Sequence, residues 1–192
     1  MFLVFSLHAE VFEGYTLFTP ITLSQTGAIT HLMNASEEII HTWSHERGPA
    51  SMPYLQPDSS IIYPYRVEFP TMESGGVGGG VQKLTWDGTI IWDYVFSDET
   101  YQHHHDVEPL PSGNILIIVW ENKSAEDAYA MGRQIIENSL NQMWSTAILE
   151  LEPESGEIVW EWHLWDHLIQ DVDAELPNYG VISEHPQLFD IN

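Results

Sequence analysis

The chain has 192 residues, of which 43% are hydrophobic, and 29 acidic side chains against five basic ones give it a formal net charge of −24. That is enough apolar material for one domain with a core and too much for a disordered acidic tail, while the negative field argues against nucleic acid or an anionic membrane surface as a partner. The absence of cysteine excludes a disulfide scaffold, a thiolate nucleophile and a cysteine-ligated zinc.

At the start, Phe2 to Ala9 reads either as the tail of a signal-segment apolar core or as a first strand, so residues 1–12 are set apart from 13–192. No run of about 18 apolar residues follows, and no transmembrane helix or membrane insertion is expected. Eight Trp, eight Tyr and seven Phe, with many Val, Ile and Thr, favour strands.

A repeated unit then emerges. Gly27-Ala28-Ile29 with Glu38 to Trp43, Thr85 to Tyr94, and Glu154 to Trp162 each read as a turn, a few residues and a tryptophan. Asp87-Gly88 is a hairpin signal, and the alternation of Ile91/Asp93 against Trp92/Tyr94 makes one aromatic face. His41 and His45 flank Trp43 on a strand and read as surface or edge residues. A second unit, strand, proline-containing turn and apolar strand, occurs at Ser51 to Tyr63 and again at Val107 to Ile117.

Between these units, Gly75-Gly76-Val77-Gly78-Gly79-Gly80 lacks the ending of a phosphate loop and precedes a strand. It reads as close backbone packing or a flexible crossing. Next comes Tyr101-Gln102-His103-His104-His105-Asp106, ahead of the apolar strand Ile115 to Trp120. Uninterrupted alternation places His103 and His105 on one face and His104 and Asp106 on the other. The bland alternative is that these histidines cap a strand end. A helical insertion is expected near 124–138, with Ser124 as N-cap and Asp127 at N3, between strands of adjacent blades.

His163 and His167 lie four apart. On a helix they would share a face, as two metal ligands do. The strand signal running to His163 favours instead an aromatic wall or core built by Trp162, Trp165 and His167. A histidine/carboxylate metal site using His104, His105, His167 and Asp106 is a further reading.

Trp43 to Trp92 spans 49 residues and Trp92 to Trp160 spans 68, near the period of a four-stranded propeller blade plus an insertion. The expected fold is all-β: about three blades of a β-propeller with a short helical insertion. Three units are too few to close a ring, so the chain is expected to be part of a longer protein or to close by assembly.

The ordered motifs resemble the bacterial aryl-sulfate sulfotransferases, the PAPS-independent arylsulfotransferase family. The matching stretches are Gly14 to Phe18, Gly75 to Gln82 running into Trp86-Asp87-Gly88, His104 to Glu108 with Leu110 to Asn114, and Gly156 to His163 with Trp165 to His167. The resemblance implies a six-bladed propeller with its site in the central channel, and a periplasmic or extracellular location. It also implies transfer of a sulfuryl group from a phenolic ester to a phenol through a sulfated histidine on a later blade, beyond residue 192, with no cofactor.

The chemistry of such a transfer suits His104, His105 and Asp106 as supporting catalytic groups. Imidazoles can stabilise or protonate the leaving oxygen, and an interior aspartate can fix a tautomer. Trp162, Trp165 and His167 would form an aromatic wall for a phenolic substrate. The net charge opposes capture of an anionic ester. A non-catalytic PQQ-like propeller module binding a protein or glycan is the alternative.

Overall fold

A computed structural model describes residues 13–21 and 26–192. The expectation for residues 1–12, and His8 with it, lies outside the described residues. The fold is all-β and consists of three successive antiparallel meanders. The first joins β1 (Tyr15–Phe18), β2 (Thr26–Asn34) and β3 (Ile39–Arg47). The second joins β4 (Tyr54–Leu55), β5 (Ile61–Arg66), β6 (Gly79–Leu84) and β7 (Ile90–Val95). The third joins β8 (Tyr101–Pro109), β9 (Ile115–Ser124), β10 (Gln142–Glu152) and β11 (Glu157–His163). A 3₁₀ turn over Leu164–His167 leads to a short parallel pair, β12 (Leu168–Ile169) and β13 (Phe189–Asp190).

The repeated tryptophan unit is the last hairpin of each meander. Trp43, Trp92 and Trp160 sit on β3, β7 and β11. Gly88 and Gly156 take the left-handed conformation their hairpin turns require. Gly27 departs from the expectation: it lies inside β2, and the first hairpin turns at Ala35–Glu37 instead. The second repeated unit is the first hairpin of its meander, β4–β5 in one case and β8–β9 in the other.

Two layers of apolar side chains hold the meanders together. Leu32 and Trp43 meet Ile61, Tyr63, Tyr65 and Leu84 between the first and second. Ile62 and Val81 meet Val107, Ile115, Ile117, Val119, Ala147, Leu149 and Leu151 between the second and third, with Trp92 and Tyr94 packed against them as the aromatic face predicts. Each fully buried aliphatic side chain contributes about 1.5–3 kcal/mol. Polar ties cross the same boundaries: Trp43 Nε1 donates to Thr85 O at 3.0 Å, and the Tyr94 hydroxyl to Pro153 O at 2.8 Å.

Two sequence readings are corrected. The helical insertion contains one short helix, α1 (Ala125–Ala130), capped by Ser124, whose hydroxyl accepts from Asp127 N at 3.0 Å. It joins β9 to β10, neighbours in one sheet, and not two adjacent blades. His45 is not a surface residue. It is buried, stacks on Tyr63 at 3.6 Å and hydrogen-bonds Thr30 Oγ1 through Nε2 at 2.8 Å, because the first meander packs that face of β3 onto the second. No described helix is long and apolar enough to cross a membrane.

Candidate active site at the seam between two meanders

The histidine segment is where the second and third meanders are stitched together. β8 pairs with β9 at His103↔Val119 and resumes at Val107↔Ile117, so three residues of β8 face one of β9. Across this bulge the chain turns its backbone to the glycine run. Gly78 N donates to His103 O at 3.0 Å, His105 N donates to Gly76 O at 2.6 Å, and Val77 bridges His104. Gly79 N also donates to His103 Nδ1 at 3.1 Å. The glycines are therefore a close-packing surface, as their sequence suggests. A Cβ at Gly76 would overlap the His105 ring, and one at Gly78 the His103 ring.

The bulge overturns the expected alternation. His105 has φ 57°, a left-handed conformation rare for a residue with a side chain. The strand thereby reverses its facing sense, and His104 and His105 become neighbours: their Nδ1 atoms are 2.8 Å apart and their rings meet edge to face. His104 is 5% exposed and stacks on Trp120 at 4.5 Å, and Trp120 stacks on Trp144 at 5.5 Å. His105 is exposed, whereas His103 is wholly buried. Burial lowers the pKa of both His103 and His104 to about 4, and the neighbouring imidazoles push in the same direction. Nε2 of each is buried without a hydrogen-bond partner among the described residues.

Asp106 makes no carboxylate hydrogen bond to an imidazole ring among the described residues, unlike a tautomer-fixing aspartate. Its carboxylate accepts from Ser51 Oγ at 2.6 Å, from the Tyr54 hydroxyl at 2.8 Å and from its own neighbour Val107 N at 2.9 Å. It anchors the exit of the bulge to the second meander. Gln102, fully buried, anchors the entry: its Oε1 accepts from Ser97 Oγ at 2.7 Å and Thr71 N at 3.0 Å, and its Nε2 donates to His103 O at 3.1 Å.

The second predicted group assembles separately. Trp162 stacks on His167 at 5.0 Å, while Trp165 lies under Lys123 Nζ at 5.0 Å. Lys123 pairs with Glu121 at 2.8 Å, and Glu121 also meets His163 Nδ1 at 3.2 Å. Among the described residues no ring contact joins this group to His104 or His105, and no three His, Asp or Glu side chains are disposed to hold a metal ion. Of the four residues of the metal reading, His104 and His105 meet, whereas Asp106 bonds Ser51 and Tyr54 and His167 stacks on Trp162. Sequence reasoning missed Ser51, Tyr54, Gln102 and Trp120; of these only Trp120 carried a signal, as the end of the strand after the histidines.

A family model described as Arylsulfotransferase (ASST) matches residues 75–184, a stretch that holds the glycine run, the histidine segment and Trp162 to His167. Gly14 to Phe18 lies outside it. No curated protein matches the chain. Among solved structures, a crystal structure of a protein of unknown function from Bacteroides caccae is similar at 15% identity and a TM-score of 0.45, over 78% of this chain and 40% of that one. The chain spans less than half the length of that protein.

Proposed function

Since the chain belongs to the arylsulfotransferase family, we propose that it serves transfer of a sulfuryl group from a phenolic sulfate ester to a phenol, without PAPS, at a site that includes the His104–His105 pair. The observation that carries this reading is the pair itself: a buried imidazole with an unpartnered Nε2, held on Trp120 and hydrogen-bonded to a second, exposed imidazole.

Sulfuryl transfer shares the logic of phosphoryl transfer, a loose transition state stabilised by positioning and charge. A histidine nucleophile on a later blade takes the group, as the family resemblance implies, and His104 serves the phenolic oxygen. Burial keeps His104 neutral at pH 7, so its ring can hold or take up a proton at Nε2. Trp162, Trp165 and His167 are proposed to wall the phenolic ring, with the Trp162–His167 stack as the support for that role.

The three meanders are proposed as consecutive blades of a propeller. Supporting this, β1, β4 and β8, the first strands of each, all contribute to one cleft of about 730 Å³, through Tyr15 and Leu17, Tyr54 and Leu55, and Glu108 and Pro109, alongside Leu32 of β2 and Lys83 of β6, as innermost strands would around an axis. Location in the periplasm or outside the cell belongs to the same reading.

The test is release of 4-nitrophenolate from 4-nitrophenyl sulfate by the full-length protein, without PAPS or added metal. Release that requires phenol and falls at least tenfold in His104→Ala is expected. A folded full-length protein that releases none overturns the reading in favour of a binding propeller.

A further inference from the structure

Resting on the transferase reading above, we infer that His104 and His105 act as a two-imidazole proton relay, with exposed His105 as its solvent port and His104 Nε2 as its inner end. Two neutral imidazoles whose Nδ1 atoms lie 2.8 Å apart must share one proton. Two bare lone pairs would repel, and so would two N–H groups. One ring is therefore protonated at Nδ1 and its neighbour at Nε2, and the tautomers are locked in opposite senses.

This opposition matches the two halves of a transfer through a covalent intermediate. In the donor half, a phenolate leaves and needs a proton. Solvent protonates His105 at Nε2, the His105 Nδ1 proton crosses to His104 Nδ1, and the His104 Nε2 proton goes to the departing oxygen. Both rings end neutral with their tautomers exchanged. In the acceptor half, a phenol must lose its proton. His104 Nε2 takes it, the Nδ1 proton crosses back, and His105 Nε2 releases one to solvent. One proton enters and one leaves, and the starting state returns.

The surroundings support the route. His104 Nε2 is buried without a partner among the described residues, as an atom awaiting a ligand oxygen would be. Its ring is held on Trp120, which cannot exchange a proton. The nearby titratable groups do not compete: the Asp106 carboxylate is occupied by Ser51 and Tyr54, and Glu121 by Lys123 and His163. His103 Nδ1 is occupied by Gly79 N, and His103 Nε2, though likewise buried without a partner among the described residues, has no hydrogen bond to either ring of the pair. Residues 74–80 of the glycine segment contain no titratable side chain. Gly76 is the positioning residue that leaves room for the His105 ring.

Two measurements test the relay in the full chain. Long-range ¹⁵N–¹H correlation spectra of ¹⁵N-histidine-labelled protein at pH 7 should show one of the two rings protonated at Nδ1 and the other at Nε2; finding both protonated at Nε2 overturns the relay. In His105→Asn, the amide tolerates the left-handed backbone and keeps a hydrogen bond near the Nδ1 position, but it cannot pass a proton. Transfer from phenyl sulfate, whose leaving group is strongly basic, should then fall at least tenfold more than transfer from 4-nitrophenyl sulfate. An equal fall for both esters, or none, overturns the relay while leaving the transferase reading standing. Absence of any transfer by the unmodified protein overturns the transferase reading and the relay's role with it.

Discussion

The ring of His105 occupies the space that a side chain at Gly76 would need. Gly76 is itself left-handed, with φ 80°, so alanine there is strained twice, by backbone and by overlap. Gly76→Ala is expected to cost about 1–3 kcal/mol of stability and to expel the His105 ring, breaking its bond to His104. Gly75 is the control: nothing lies within 4 Å of its added Cβ. Urea unfolding combined with the sulfate-transfer assay should show Gly75→Ala near the parent in both and Gly76→Ala impaired in both. Equal behaviour of the two variants would remove the glycine run from the site.

Asp106 is held by two hydroxyls, Tyr54 on β4 and Ser51 in the connection leading to it, and each should be separable from catalysis. Tyr54→Phe or Ser51→Ala leaves a half-buried carboxylate oxygen short of one donor, a loss of about 1–3 kcal/mol. Burial and the bond to Asp106 raise the Tyr54 pKa, so this phenol stays protonated and keeps donating across the ordinary pH range. If Asp106 only anchors the bulge, the double variant should lose less stability than the two single losses added together, because both act through one carboxylate. The rate per folded molecule should change less than tenfold. A rate loss much greater than that would return Asp106 to the reacting centre.

Much of the scaffold can be read from the sequence because its signals are local. Asp87-Gly88 turns where a hairpin signal turns, Ser124 caps the helix it precedes, and the three tryptophan units each become a terminal hairpin. The candidate site resists such reading because its determinants are distant. The period-two rule fails at His105 because Gly76, 29 positions earlier in the chain, pulls the backbone off β9, and nothing in His-His-His-Asp announces a left-handed residue. Asp106 finds its partners 55 and 52 positions away. His45 looks like an edge residue until Tyr63, on another meander, covers it.

The −24 net charge sets an electrostatic barrier for an anionic ester. Salt shortens its range, to about 8 Å at physiological ionic strength. The transfer rate at low ester concentration should therefore rise about twofold or more between 20 and 300 mM sodium chloride, with the rate at saturation little changed. Binding that depends on a dominant basic patch gives the opposite trend, so a fall with salt would contradict the picture of a site approached through a negative field.

Acid should loosen the fold through its buried imidazoles. His45, His103 and His104 each have a pKa lowered to about 4, chiefly by burial, against 6.5 when exposed. Between these values the unfolded chain binds more protons than the native one, so stability falls as pH drops. The stabilisation from keeping these rings neutral is complete above about pH 6.5 and is lost progressively towards about pH 4. Thermal unfolding in 0.5 M sodium chloride, which screens the carboxylate repulsion that acid would relieve, should show Tm dropping steadily from pH 7 to pH 4.5. His45→Gln can still bond to Thr30 Oγ1 but cannot titrate, so its Tm should fall less steeply over the same range even where its starting Tm is lower. Parallel Tm curves for the two proteins would mean that His45 is already accessible to protons in the native state.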